Sequence, residues 1–147
     1  MEWIKRLTGQ TVGLDTAPLI YFIENHPLYY PLVEPFFAAV ERGEIEVVTS
    51  TLTLAEVLVH PYRRGNQALA QEYSDILLRA RNVTTFPVSP EIAAEAARLR
   101  AMHGIRTPDA IQLATAHKSH AGSFLTNDED LEKAAELQML LLKRMVP

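Results

Sequence analysis

The sequence predicts an α/β fold, with a mostly parallel central sheet of about five strands flanked by helices. Three observations predict it. Short runs rich in Val, Ile, Leu and Phe alternate with longer helical stretches along the whole chain. The short runs lack polar alternation, as strands buried on both faces should. Glycine and proline stand where the helical stretches end.

The first strand is 11–15, where Thr11-Val12-Gly13-Leu14 runs into Asp15. Helices follow over 17–25 and 28–42, the second closed by Gly43. A strand at 45–49 leads to a helix over 53–60 that stops at Pro61. After the Arg63-Arg64-Gly65-Asn66 loop, a helix covers 66–81, and a strand covers 83–88. Ile92, Ala96 and Leu99 give helical spacing to 91–103, which Gly104 ends. Thr107-Pro108 opens a helix over 108–120. The chain closes with a strand at 123–126, a helix at 129–136 and a strand at 138–142. No internal repeat, low-complexity tract or linker divides it, so one domain is expected over 1–147.

Composition narrows the function classes. With 48% hydrophobic and 22% charged residues, the 147-residue chain is ordinary globular protein. It has no cysteine, which excludes a disulfide framework, thiolate zinc sites and cysteine nucleophiles. That absence suits a reducing, cytoplasmic setting. Met1-Glu2-Trp3-Ile4-Lys5-Arg6 has no secretory h-region, and no apolar run is long enough to span a bilayer. The net charge of −4 gives no global attraction to nucleic acid, so any such binding needs a local basic patch.

Four acids carry the chemistry. Asp15 ends the first strand, and Glu56 lies in the first turn after the second. Asp109 lies in the first turn after Thr107-Pro108, and Asp128 follows Phe124-Leu125-Thr126. In a parallel sheet, strand ends and helix starts share one edge, where such folds bind ligands. Carboxylates gathered there repel one another unless a cation joins them. Hard oxygen ligands select Mg²⁺ or Mn²⁺. A water acidified by such an ion can hydrolyse a phosphodiester without a protein nucleophile.

Each acid also has a purely structural explanation. Thr53-Leu54-Ala55-Glu56 reads as a capping box with Glu56 at N3. Thr107-Pro108-Asp109 reads as a helix start with proline at N1 and an acid at the positive dipole end. Thr126-Asn127-Asp128-Glu129 can be a cap, and Asp15 can open a turn. The two explanations are compatible. Four acids at the helix starts of one edge favour a site.

These segments resemble the PIN domain family, and most closely the small VapC-type toxins of bacteria and archaea. The resemblance rests on four stretches, in order and at matching spacing. They are Val12-Gly13-Leu14-Asp15-Thr16-Ala17-Pro18-Leu19-Ile20, Thr51-Leu52-Thr53-Leu54-Ala55-Glu56-Val57-Leu58, Thr107-Pro108-Asp109-Ala110-Ile111-Gln112-Leu113-Ala114-Thr115-Ala116 and Phe124-Leu125-Thr126-Asn127-Asp128-Glu129-Asp130-Leu131. Leu131 departs from it, since many relatives carry an aromatic there. The resemblance implies a three-layer α/β/α fold and a Mg²⁺- or Mn²⁺-dependent endoribonuclease. It also implies a small antitoxin partner and a homodimer. By position, Asp15, Glu56, Asp109 and Asp128 would be the metal-site acids, with Asp130 auxiliary. Thr126 and Asn127 would hold the metal water or a phosphate oxygen. Two alternatives stay open: a stand-alone PIN nuclease of RNA processing or decay, and a catalytically weak PIN-like binding module.

Rival α/β sites fit less well. A phosphorelay receiver wants an acidic pair after the first strand, a haloacid-type phosphatase wants Asp-x-Asp, and a dinucleotide fold wants a glycine-rich turn; only Asp15-Thr16-Ala17 stands there.

The remaining polar and aromatic residues suggest secondary roles. Arg106 and the pair Arg63 and Arg64 are candidates for phosphate contacts, which position a strand without reading its bases. His60, His103, His117 and His120 lie near helix ends and His26 follows one, where imidazoles favour the dipole. His117 and His120 have an i, i+3 spacing but no evident third ligand. Among the aromatics (one Trp, five Tyr, five Phe), Tyr21, Phe22, Tyr29, Tyr30, Phe36 and Phe37 crowd into one stretch. Two short helices cannot bury them all, so Tyr21, Tyr29 and Tyr30 are candidates for a partner surface.

Overall fold

A computed structural model of the chain describes residues 1–134 and 136–147. Its strands are β1 (Thr11–Leu14), β2 (Glu46–Ser50), β3 (Val83–Phe86), β4 (Ser123–Thr126) and β5 (Gln138–Leu141). They form one sheet in the order β3-β2-β1-β4-β5, and every neighbouring pair is parallel. Val12 stands opposite Val47 on one side and Ser123 on the other. Parallel pairs need long crossovers, here supplied by helices. The helices are α1 (Glu2–Lys5), α2 (Thr16–Ile23), α3 (Tyr30–Glu41), α4 (Thr51–Arg63), α5 (Gln67–Leu78), α6 (Pro90–His103) and α7 (Thr107–Lys118).

Side chains that alternate along each strand face two separate cores. Val12, Leu14, Val47 and Leu125 join a core with Leu19, Phe36, Val40 and Tyr73, under α2, α3 and α5. Val48 and Phe124 join a second core with Ile92, Leu99 and Leu113, under α6 and α7. The result is the three-layer α/β/α arrangement expected from the sequence. Full burial of a side chain such as Phe36 or Leu125 contributes about 1.5–3 kcal/mol.

Two features position the site. From β1 the chain moves outward through β2 to β3, then returns to place β4 on the other side of β1. The order therefore reverses between β1 and β4, and the crevice beyond their C-terminal ends is where such sheets bind ligands. Gly13 then lets α7 lie close to the strands. A Cβ there would stand 2.6 Å from Ala116 Cβ and 2.8 Å from Phe124 Cδ1. With Ala110, Ala114 and Ala116 also buried, α7 seats its N-terminus over that crevice.

Several boundaries differ from the sequence reading. The helix expected over 53–60 runs Thr51–Arg63. Ser50 caps it, its Oγ accepting from Leu52 N at 3.0 Å. Pro61 sits buried inside the last turn, where its missing N–H costs one bond and little helix follows. The helix expected from 28 begins at Tyr30, because His26 Nδ1 accepts from Leu28 N at 3.1 Å and Tyr29 N at 3.2 Å. Glu129–Ala134 is a 3₁₀ helix, the tighter form used in short connectors. Residue 135, within the helix expected over 129–136, lies outside the described residues. Among the described residues, no helix is long and apolar enough to cross a membrane.

Candidate active site

Asp15, Glu56, Asp109 and Asp128 line one cleft of about 290 Å³ at the switch between β1 and β4. Thr16, Ala17, Ile20, Pro108 and Gln112 complete its walls. Each acid arrives from a different element. Asp15 is the N-cap of α2, its Oδ1 accepting from Thr16 N at 2.8 Å. Its other oxygen, Oδ2, accepts from Thr126 Oγ1 at 2.7 Å. Asp109 stands in the first turn of α7. Asp128 follows β4, and its Oδ1 accepts from Asp130 N at 3.0 Å, an Asx turn that starts the 3₁₀ helix.

Glu56 is not a cap. Ser50 fills that position, so Thr53 lies inside α4 and Glu56 one turn further along than a capping box requires. Its Oε1 accepts instead from Thr16 Oγ1 at 2.8 Å, across the cleft wall. The capping explanation thus falls for Glu56, while Asp15, expected only to open a turn, is itself a cap.

The acids perturb one another. Burial raises the Asp15 carboxyl above the usual range, against the hydrogen bonds from Thr126 and Thr16, and the charges of Asp109 and Glu56 add to it. Burial also raises Asp109, with Asp128 the largest charge contribution and Glu56 and Asp130 adding. Arg106 opposes that rise. In both groups burial is the larger cause, and the neighbouring carboxylates add to it.

The donor set suits a hard divalent cation. It offers carboxylate oxygens and a carboxamide, with no thiolate, thioether or imidazole. Gln112, only 3% exposed, has an Oε1 with no hydrogen-bond partner among the described residues. Asp15, Glu56, Asp109 and Asp128 are the residues that could hold a divalent cation here.

The other sequence candidates divide. Asp130 and Arg106 line an adjoining cavity of about 130 Å³ that shares Asp109 and Asp128 with the cleft. Lys133, which nothing in the sequence marked, lies there too. Arg63 and Arg64 end α4, seven or more residues past Glu56 and about 10 Å along the axis, outside both walls. Thr126 and Asn127 were expected to hold a water or phosphate, and the structure gives their polar atoms protein partners. Thr126 donates to Asp15 and accepts from Asp128 N at 3.1 Å. Asn127 donates to Tyr21 Oη at 3.1 Å and accepts from Lys143 N at 2.8 Å. Tyr21 and Tyr29 are half-buried and stacked at 4.8 Å, and Tyr30 stacks on Phe22 at 6.1 Å.

A second cluster escaped the sequence reading. Glu95, His117 and Glu136 bring ligand atoms within 4.8 Å of one another and could hold an ion. The cluster is remote from the cleft, since His117 lies eight residues past Asp109 on α7, about 12 Å along the axis. Arg98 already bridges it, with Nη2 at 2.7 Å from both Glu95 and Glu136. His117 Nδ1 lies 2.6 Å from Glu95, and His103 Nε2 lies 3.0 Å from Glu136. No spacing rule joins position 136 to a helix forty residues earlier.

The family model described as the PIN domain matches residues 12–137, a span that contains all four cleft acids. The chain belongs to the PIN domain family. Solved structures share this PIN fold. VapBC2 from Rickettsia felis, bound to a promoter DNA fragment, has 18% identity and a TM-score of 0.69, covering 89% of this chain and 98% of that one. A toxin–antitoxin complex from Klebsiella pneumoniae has 21% identity and a TM-score of 0.64, covering 90% and 97%. Mycobacterium tuberculosis VapC20, a Sarcin-Ricin loop cleaving toxin, has 18% identity and a TM-score of 0.68, covering 85% and 95%. No curated protein sequence matches the chain significantly.

Proposed function

We propose that this PIN domain is a Mg²⁺- or Mn²⁺-dependent endoribonuclease and the toxin of a toxin–antitoxin pair. The observation that carries this reading is the convergence of Asp15, Glu56, Asp109 and Asp128 in one cleft, with Asp15 and Asp109 raised by burial and mutual charge. When bound, the cation would supply an acidified water and a counter-charge for the phosphoryl oxygens. The protein's part is to bind and orient. Thr16 N and Thr126 hold the two oxygens of Asp15, and Thr16 Oγ1 holds Glu56. Arg106 and Lys133 stand in the adjoining cavity, where a flanking phosphate would be held without base readout. In the hydrolysis, water oxygen adds to phosphorus, the bond to the leaving ribose oxygen breaks, and that oxygen takes up the proton.

The similar folds support the toxin reading, because VapC20 is a Sarcin-Ricin loop cleaving toxin and the Klebsiella pneumoniae structure is a toxin–antitoxin complex. A small antitoxin is the expected protein partner, a homodimer the expected assembly and the cytoplasm the expected setting. Tyr21, Tyr29 and Tyr30 are the proposed partner surface, beside an apolar cavity of about 320 Å³ lined by Phe22, Phe37, Val40 and Ile76.

The test is cleavage of an RNA pool with Mg²⁺ or Mn²⁺, with chelator, and by Asp15→Asn. Cleavage should need the ion and vanish in the variant. Chelator-insensitive cleavage, or an active Asp15→Asn protein, would end this reading. An inert wild type that still binds RNA would favour a binding module.

A further inference from the structure

The hydroxyls and amide behind the acids form a chain whose proton directions are determined. Thr49 Oγ1 donates its single proton to the Leu14 carbonyl at 3.0 Å. The 3.0 Å contact between Thr49 and Thr53 therefore uses the Thr53 proton. With that proton spent, Thr53 can only accept, and Gln112 Nε2 donates to it at 2.6 Å. Thr16 likewise gives its proton to the Glu56 carboxylate at 2.8 Å, a better acceptor than Thr53 Oγ1 at 3.4 Å. Gln112 Nε2 reaches Thr16 Oγ1 at 3.4 Å.

These directions orient the amide. Nitrogen must face the threonines, so Oε1 is left over, buried and without a partner among the described residues. Gln112 follows Asp109 by three residues on α7, which puts both on one helix face, and it lines the same cleft. A buried acceptor left unmade costs about 1–3 kcal/mol, and since Oε1 is closed to solvent, what the amide gives the site is its Nε2 contacts to Thr53 and Thr16.

We infer that Gln112 is a positioning residue of this site: its amide nitrogen holds Thr53 and Thr16, and Thr16 in turn holds the Glu56 carboxylate. The inference rests on the metal-nuclease reading and names a neutral amide behind the four acids. Groups of this kind, which orient a metal's surroundings, change affinity about 10–100-fold when lost.

The experiment titrates Mn²⁺ into the full chain by calorimetry, with the spin-resonance signal of free Mn²⁺ as a second readout. Wild type should bind. Gln112→Met, which keeps the length and removes both polar atoms, should bind about tenfold more weakly, without RNA present. Gln112→Asn keeps an amide but withdraws it from Thr16, so Mn²⁺ should raise its melting temperature less than it raises that of wild type. A folded Gln112→Met protein with wild-type Mn²⁺ affinity would overturn the inference. So would equal Mn²⁺-induced shifts in wild type and Gln112→Asn, which covers the case where Gln112→Met does not fold. A wild type that binds no Mn²⁺ would overturn the metal reading itself, a separate failure.

Discussion

Thr126 Oγ1 donates to Asp15 Oδ2 at 2.7 Å and so ties the end of β4 to the end of β1. The threonine is fully buried, and its hydroxyl also accepts from Asp128 N at 3.1 Å. One side chain thus fixes two of the cleft acids. Thr126→Val keeps the shape and removes both bonds. It should cost about 1–3 kcal/mol, because a half-buried carboxylate oxygen loses its donor. Thermal unfolding measures that loss, and Mn²⁺ titration should show weaker binding. Unchanged Mn²⁺ affinity would limit Thr126 to a structural tie.

The raised carboxyls of Asp15 and Asp109 set the sign of a pH effect. A carboxyl raised by folding favours the native state most below its unfolded value of about 4, and that benefit is lost as pH rises through the folded value. The metal-free protein should therefore gain from acidification wherever these two groups govern. Glu136 acts oppositely. Arg98 and then His103 lower it to about 2, so its contribution is lost as pH falls from the ordinary carboxylate value toward about 2. Comparing wild type with Asp109→Asn isolates the cleft, since Glu136 is common to both. In chelator near neutral pH, Asp109→Asn should be as stable as wild type or more so, and the difference should shrink on acidification. Its cleavage should fall at least a hundredfold. A neutral-pH loss of melting temperature would make Asp109 a dipole partner of α7 instead.

Much of this arrangement was legible in the sequence because parallel strands are buried on both faces and read as apolar runs. The order of elements then placed Asp15, Glu56, Asp109 and Asp128 on one edge. What stayed hidden depends on contacts distant in sequence. Gln112 looks like one more residue of an apolar helix face until Thr53 and Thr16 are seen beside it. Asn127 immediately precedes Asp128 yet faces Tyr21 and Lys143. The false capping box arose because Thr53 and Glu56 have the right spacing, while Ser50, three residues earlier, ends the strand and takes the cap.

Tyr29 separates partner binding from catalysis. It stacks on Tyr21 at 4.8 Å and lies 5.0 Å from His26, and it lines neither the cleft nor the adjoining cavity. Tyr29→Glu places a charge on this half-buried aromatic surface. Copurification with a coexpressed antitoxin should fall at least tenfold while RNA cleavage by the isolated chain stays at the wild-type rate. Undiminished copurification would remove these tyrosines from the proposed interface.

Arg98 decides what the remote cluster is. Glu95 is only 7% exposed; Arg98 Nη2 pairs with it at 2.7 Å, and His117 Nδ1 lies 2.6 Å away. If the guanidinium is the structural cation, removing it leaves a buried carboxylate with a single partner, which is strongly unfavourable. Arg98→Met should then lower the melting temperature by several degrees, and Glu95→Gln in the same chain should restore part of the loss. Chelator should not change the wild-type melting temperature through this cluster, and metal-dependent cleavage should persist in Arg98→Met. A zinc-induced rise in the melting temperature of wild type that disappears in His117→Ala would instead make Glu95, His117 and Glu136 an ion site in competition with Arg98.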